Sequence, residues 1–317
     1  MQFQIYPIPK AQTLFDQAVQ KAKKSKRKQA SLQGKKAYYQ QQCSSISDNL
    51  QTKLKQIIKS FPSYNQLPPF YQALMKATLS VDTVKKELGR IQGIIPQLEK
   101  IKHTTNKQIA TCKDEKTLAL QWKAFLGRIA SLLPEKSLAT LENARRKIRE
   151  FPDIKEHLYT VAIAGFPNVG KTTLFNALTK AKAQVASYAF TTKRLQVSVL
   201  STSYYTVQLI DTPGTLNRAT QNPIELQADL ALTHCANLIV YLFDLTLPYP
   251  LASQEALLEK IKQYKKPIVY FFSKEDLLGR KPLMRYAKEK KLQPWFSSAK
   301  ELEQFLLKEA ITQRSIQ

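Results

Sequence analysis

Residues Gly165 to Thr172 read GFPNVGKT, the spacing G-x-x-x-x-G-K-[ST], with an apolar run before it and a helical pattern after it. That order suits the phosphates of a nucleoside triphosphate. Along Gly165, Phe166, Pro167, Asn168, Val169 and Gly170, the available backbone N–H groups would turn toward the phosphates, joined by the helix start at Lys171, Thr172 and Thr173. The ammonium of Lys171 would meet the β- and γ-oxygens, and the Thr172 hydroxyl would meet a magnesium ion. Glycine usage agrees. Four of the eight glycines follow residue 155, and three of those, Gly165, Gly170 and Gly214, fall in such motifs, where a Cβ is not tolerated or backbone must approach phosphate.

The segment DTPG, from Asp211 through Thr212 and Pro213 to Gly214, follows the apolar run YTVQLI about forty residues later. Asp211 would hold magnesium through water, and the Gly214 N–H would meet the γ-phosphate. Between the two motifs lies YAFTTKR, with Phe190, Thr191 and Thr192; either threonine hydroxyl could complete the magnesium shell. Further on, FFSKEDLL places Ser273, Lys274 and Asp276 after an apolar strand. An Asp in that position accepts from the N1–H and exocyclic amine of guanine, a donor pair that adenine lacks, so the expected ligands are GTP and GDP. The aliphatic stem of Lys274 would cover one face of the base. Ser298, Ala299 and Lys300, in SSAK, would offer backbone N–H groups to the guanine carbonyl. Asparagine usually stands where this chain has Ser273. The shorter side chain loses one or two hydrogen bonds, about 1–2 kcal/mol, or a roughly 5- to 30-fold weaker site. Selectivity should survive, because Asp276 carries it.

The elements that must position these residues lie in the second half. LYTVAIAGF, LQVSVL, YTVQLID, NLIVYLFDL and KPIVYFF are short β-branched and aromatic runs, several of them separated by helical patterns. This alternation predicts a mostly parallel sheet flanked by helices, over residues 156–317. Residues 1–155 carry four amphipathic stripes instead: Leu50 to Phe61, Val81 to Ile101, Leu118 to Leu132 and Leu138 to Phe151. They predict an all-α helical bundle, with Pro96 interrupting or kinking the second stripe and FPSYNQLPPF forming a turn or extended connector. The whole chain of 317 residues has 49 Lys and Arg against 24 Asp and Glu, a formal charge of +25. Of these, 29 basic and 11 acidic residues fall in 1–155, and 20 and 13 in 156–317. Such an excess calls for a polyanionic partner, nucleic acid before an anionic membrane surface. KAKKSKRKQ, with Lys35, Lys36, Tyr38 and Tyr39, reads as an RNA-binding arm. The longest apolar run is far too short to span a bilayer, and the N-terminus has no signal-peptide core, so a cytoplasmic setting is expected.

GFPNVGKTTLFNALT, YAFTTK and DTPG resemble the Obg superfamily of GTPases, and most of all its Nog-type branch. FPSYNQLPPFYQALM, LGRIQGI and LGRIASLL resemble the helical N-terminal domain of that branch, so nearly the whole chain is covered. The resemblance is to a short, archaeal-like form, since the chain ends soon after SSAK; a nucleolar setting would apply only to a eukaryotic source. It implies a GTPase acting in assembly of the large ribosomal subunit or its precursor, contacting rRNA through the helical domain, and monomeric off the ribosome. By match of motif it selects Thr172, Thr192 and Asp211 for magnesium, and Asn168 as a potassium contact. Lys171, Thr192 and Gly214 then form the expected catalytic set. Thr215 stands where small signalling GTPases keep a catalytic glutamine, so intrinsic hydrolysis should be slow and raised by potassium or the ribosome. Two alternatives differ in class: a nucleotide-gated RNA-binding scaffold with negligible hydrolysis, and an ATP-using Obg relative, which Asp276 disfavours.

Overall fold

The computed structural model describes residues 3–23, 31–179, 195–201, 205–212, 223–246 and 250–314. Two compact units result: Gln2–Leu67 with Met75–Phe151, and Pro68–Leu74 with Pro152–Gln317.

The first half of the chain forms helices α1 (Ala11–Lys23), α2 (Leu32–Ser60), α3 (Pro69–Thr78), α4 (Val81–Thr111), α5 (Glu115–Leu132) and α6 (Glu135–Arg149). The four predicted stripes fall on α2, α4, α5 and α6. Side-chain caps start three of these helices: Ser31 accepts from Gly34 N, Ser80 from Thr83 N and Asp114 from Thr117 N. Ile46, Leu50, Leu54, Ile91, Leu98, Phe125, Ile129 and Ile148 bury the apolar faces. Two buried hydroxyls pair between helices: Ser47 Oγ donates to Leu98 O at 3.2 Å, and Ser137 Oγ to Glu87 Oε2 at 2.6 Å. Of the two outcomes expected at Pro96, interruption does not occur. Helix α4 runs without interruption through Pro96. Proline there removes one intrahelical bond, at about 3 kcal/mol, while burial of Ile91, Ile94, Ile95 and Leu98 around it opposes that cost. The FPSYNQLPPF segment forms the expected turn: a 3₁₀ turn occupies Tyr64–Gln66, and Pro69 opens α3. At a helix start the missing proline N–H costs nothing.

The second unit contains β1 (Tyr159–Gly165), α7 (Lys171–Thr179), β2 (Gln196–Ser201), β3 (Thr206–Asp211), α8 (Pro223–His234), β4 (Leu238–Phe243), α9 (Leu251–Lys262), β5 (Ile268–Phe272), α10 (Glu275–Leu278), α11 (Arg280–Glu289), β6 (Trp295–Phe296) and α12 (Ala299–Arg314). The strands form one sheet in the order β2-β3-β1-β4-β5-β6. Only the β2–β3 pair is antiparallel. Both faces are covered, so the central strands are mostly apolar and alternate residues serve opposite cores. Val161, Ile163, Leu209 and Val240 pack with Phe175 of α7 and Leu302 and Leu306 of α12. Ala162, Ala164, Ile239, Tyr241 and Phe243 pack with Leu257 of α9 and Leu283 of α11. Among the described residues, no helix is long and apolar enough to cross a membrane.

Tyr71, fully buried, ties the start of α3 to the segment entering β1. Its hydroxyl accepts from Ile154 N at 2.9 Å and donates to Pro152 O at 2.9 Å. Replacement Tyr71→Phe keeps the ring and strands a buried N–H, so it should lower unfolding free energy by about 1–3 kcal/mol, read by urea denaturation.

Candidate functional site

Parallel strands of a doubly covered sheet end on one edge, where ligands bind in such folds. Register places Ile163 of β1 beside Asp211 of β3, and Gly165 beside Leu242 of β4. Gly165, Asp211, Asp244, Ser273 and Ser297 therefore lie at or just beyond the carboxyl ends of five neighbouring strands.

The loop from β1 to α7 needs its glycines. A Cβ on Gly165, whose φ is +155°, would stand 2.9 Å from Leu242 O and 3.2 Å from Val169 Cγ2. Gly170 has φ +95°, and Asn168 is also left-handed at φ 61°. Val169 is fully buried and anchors the loop to the sheet core. The Gly170 carbonyl accepts from Leu174 N at 2.9 Å, the first hydrogen bond of α7.

Lys171 and Asp211 are both 7% exposed. The Lys171 ammonium donates to Phe166 O at 2.6 Å. Burial lowers its pKa to about 8, against the pull of the Asp211 charge. Burial pushes the Asp211 carboxyl up, against a hydrogen bond from Thr172 and the Lys171 charge. Thr172 Oγ1 donates to Asp211 Oδ2 at 2.8 Å, whereas Asp211 Oδ1 is buried with no hydrogen-bond partner among the described residues. Thr212 turns away from the edge, its N and Oγ1 both donating to Ile163 O at 3.1 and 2.8 Å.

Ser273 follows β5 and faces the phosphate loop: its Cβ is 3.6 Å from where a Gly170 Cβ would sit. Its hydroxyl donates to Phe243 O at 3.2 Å. Lys274 is left-handed at φ 58° and precedes α10. Asp276, on α10, is exposed and unpaired among the described residues. Ser298 O accepts from Leu302 N at the start of α12, while Ala299 is half-buried and Lys300 exposed. Phe190, Thr191, Thr192, Pro213, Gly214 and Thr215 lie outside the described residues.

Asp244 was not foreseen. It is fully buried just after β4. Its Oδ2 pairs with Lys274 Nζ at 2.6 Å, and its Oδ1 accepts from Thr246 N at 2.9 Å and Thr246 Oγ1 at 2.6 Å. Gln254 of α9 grips its backbone from both sides, accepting from Asp244 N at 3.0 Å and donating to Asp244 O at 2.9 Å. Burial opposes its ionisation, yet Lys274 and Thr246 hold the carboxyl below its ordinary range. The pair fixes the Lys274 stem beside Ser273 and Asp276. A charged residue closing an all-apolar strand was the available signal; its partner thirty residues on was not visible. Ser297 is similar, with a buried hydroxyl that has no partner among the described residues.

Residues 160–274 match the family described as "50S ribosome-binding GTPase", and residues 3–155 match the "NOG1 N-terminal helical domain". An uncharacterised protein of Methanocaldococcus jannaschii is 36% identical over 74% of this chain and 66% of its own length. Nucleolar GTP-binding protein 1 of Drosophila melanogaster is 32% identical over 77% of this chain and 38% of its own. The chain belongs to the Nog-type GTPases. A solved structure of a putative nucleolar GTP-binding protein 1 from Plasmodium falciparum is 28% identical over 52% of this chain and 94% of that one, with a TM-score of 0.40. The chain spans 66% or less of the length of these full-length relatives.

For a Nog-type GTPase, the donor set at Thr172 and Asp211 fits magnesium. It offers a hydroxyl and a carboxylate, hard oxygen ligands, and one buried carboxylate oxygen has no hydrogen-bond partner among the described residues.

Replacing Asp244 by Asn keeps the shape and removes the charge facing Lys274. It should lower unfolding free energy by about 1–3 kcal/mol, and a denaturant titration showing no change would contradict the arrangement.

Proposed function

We propose that this chain binds GTP at the carboxyl edge of its sheet and hydrolyses it to GDP as a switch in assembly of the large ribosomal subunit. In this reading residues 156–317 are the G domain, and residues 1–155 are a basic domain that contacts rRNA. The observation that carries it is the meeting, on one sheet edge, of Lys171, Thr172 and Asp211 with the Ser273–Lys274–Asp276 segment. The match of residues 160–274 to the "50S ribosome-binding GTPase" family supports the ribosomal part.

The roles follow from chemistry. Lys171, buried and with its ionisation opposed, gains from a phosphate counter-charge and neutralises the γ-phosphate as charge shifts during transfer. Thr172, Asp211 and Thr192 would hold magnesium. When bound, that ion supplies positive charge to the β- and γ-oxygens. Asn168 stands ready to contact potassium. Gly214 and Thr192 sense the γ-phosphate and release their segments after hydrolysis. No residue assigned here orients water as a glutamine would, so intrinsic turnover is slow and rises on the ribosome. Lys274, steadied by Asp244, covers the base, and Asp276 selects guanine.

A second reading is a nucleotide-gated RNA scaffold with negligible hydrolysis. One observation favours it: the Ser273 hydroxyl is used on Phe243 O, so this position lends the nucleotide clamp little.

Titration with fluorescent GTP and ATP in magnesium, followed by turnover with and without large ribosomal subunits, tests the proposal. GTP uptake with ATP excluded, and turnover that climbs with added subunits, is expected. Equal uptake of ATP overturns it, and GTP binding with no turnover under either condition favours the scaffold. The variant Ser273→Asn restores an amide able to span base and loop and should tighten GTP roughly 5- to 30-fold, by about 1–2 kcal/mol. Unchanged affinity would show that this position is not the weak point of the clamp.

A further inference from the structure

The sheet unit has a cationic face of its own. Residues 280–291 hold six Lys and Arg against one Glu, although all of 156–317 holds only 20 against 13. Lys281, Arg285 and Lys288 fall at i, i+4 and i+7 on α11, one face of the helix, and Lys291 follows just beyond its end. All four are exposed. None of the four pairs with a carboxylate among the described residues. The neighbouring cations differ: Lys290 pairs with Glu255 at 2.9 Å and Arg280 with Glu301 at 3.5 Å. Between the free cations stands Met284, 56% exposed, and Leu277 of α10 is 68% exposed.

The helix is firmly held. Leu283 and Ala287 are buried in the sheet core, Tyr286 Oη donates to Glu255 Oε1 at 2.7 Å, and Arg280 lies 5.7 Å from the centre of the Trp295 ring. A pinned row of like charges repels itself, and nothing within the described fold relieves it. We propose that this face of α11 is a docking surface for the phosphate backbone of RNA, separate from the basic helical domain. The proposal rests on the reading of rRNA as partner and extends it to the G domain.

Two physical features favour RNA over a bilayer. A membrane-surface helix buries its apolar side in lipid, and the apolar side of α11 is already spent on the sheet. What remains outward is a set of point charges and one guanidinium, which suits phosphate oxygens. Met284 and Leu277 add small apolar surfaces for riboses or base faces.

The test uses the full chain and a fluorescein-labelled RNA stem-loop, with anisotropy titrations from 50 to 300 mM KCl. The variant K281Q/R285Q/K288Q/K291Q is compared with wild type and with a charge-matched control, K260Q/K262Q/K265Q/K266Q, in the last turn of α9 and the segment that follows it. Each lost phosphate contact lowers the slope of log K against log[salt] by about 0.7–0.9. The α11 variant should therefore lose about three units of slope, the control less than one, and GTP binding should stay intact in both. An α11 slope equal to wild type, or equal losses in both variants, overturns the docking surface while leaving the rRNA reading in place. No RNA binding by wild type overturns both, and α11-dependent capture by phosphatidylserine vesicles without RNA binding overturns the choice of partner.

Discussion

Two opposite charges held out of water at one edge of the sheet govern this molecule. Lys171 and Asp211 stand at the ends of adjoining elements, each nearly buried, and desolvation works against the ionised form of both. Their mutual attraction offsets part of that cost. The remainder makes the edge receptive to a ligand that brings both a polyanion and a hard cation, which a magnesium-bound nucleoside triphosphate does. The fold accepts the arrangement because β1, β3 and β4 bury apolar residues on both faces and carry the charges only at their ends.

The segment after β5 repeats this device. Asp244 is fully buried and satisfied by Lys274, Thr246 and Gln254, so a polar network rather than packing sets where the segment after β5 begins. Such a network is rigid when every member is paired. It lets Ser273 occupy a position usually given to a longer amide, because Lys274 is steadied from β4 instead. Asp276 is left exposed beside it, free to make its own hydrogen bonds.

Much of this was readable in the residues. The phosphate loop announces itself because its spacing, its glycines and its strand-loop-helix setting are all local. The five apolar runs became strands, and the four stripes became helices, since burial on one or two faces leaves a periodic trace. That Pro96 would not interrupt its helix was not readable. A proline's local cost is visible in the chain, whereas the packing of Ile91, Ile94 and Leu98 that opposes it comes from other helices. Tyr71 likewise gave no sign, because its hydroxyl serves backbone groups more than eighty residues away.

The amino-acid order by itself determined the glycine-bearing loop between strand and helix, the alternation that yields a mostly parallel sheet, and the excess of positive charge, because each depends on residue type and near-neighbour spacing. Tertiary structure alone decided that Asp244 meets Lys274, that Thr172 shares its hydroxyl with Asp211, and that Lys281, Arg285, Lys288 and Lys291 face outward without ion-pair partners among the described residues. Those outcomes depend on strand order and on which helix face the core consumes, and both are settled only when distant segments compete for the same buried surface.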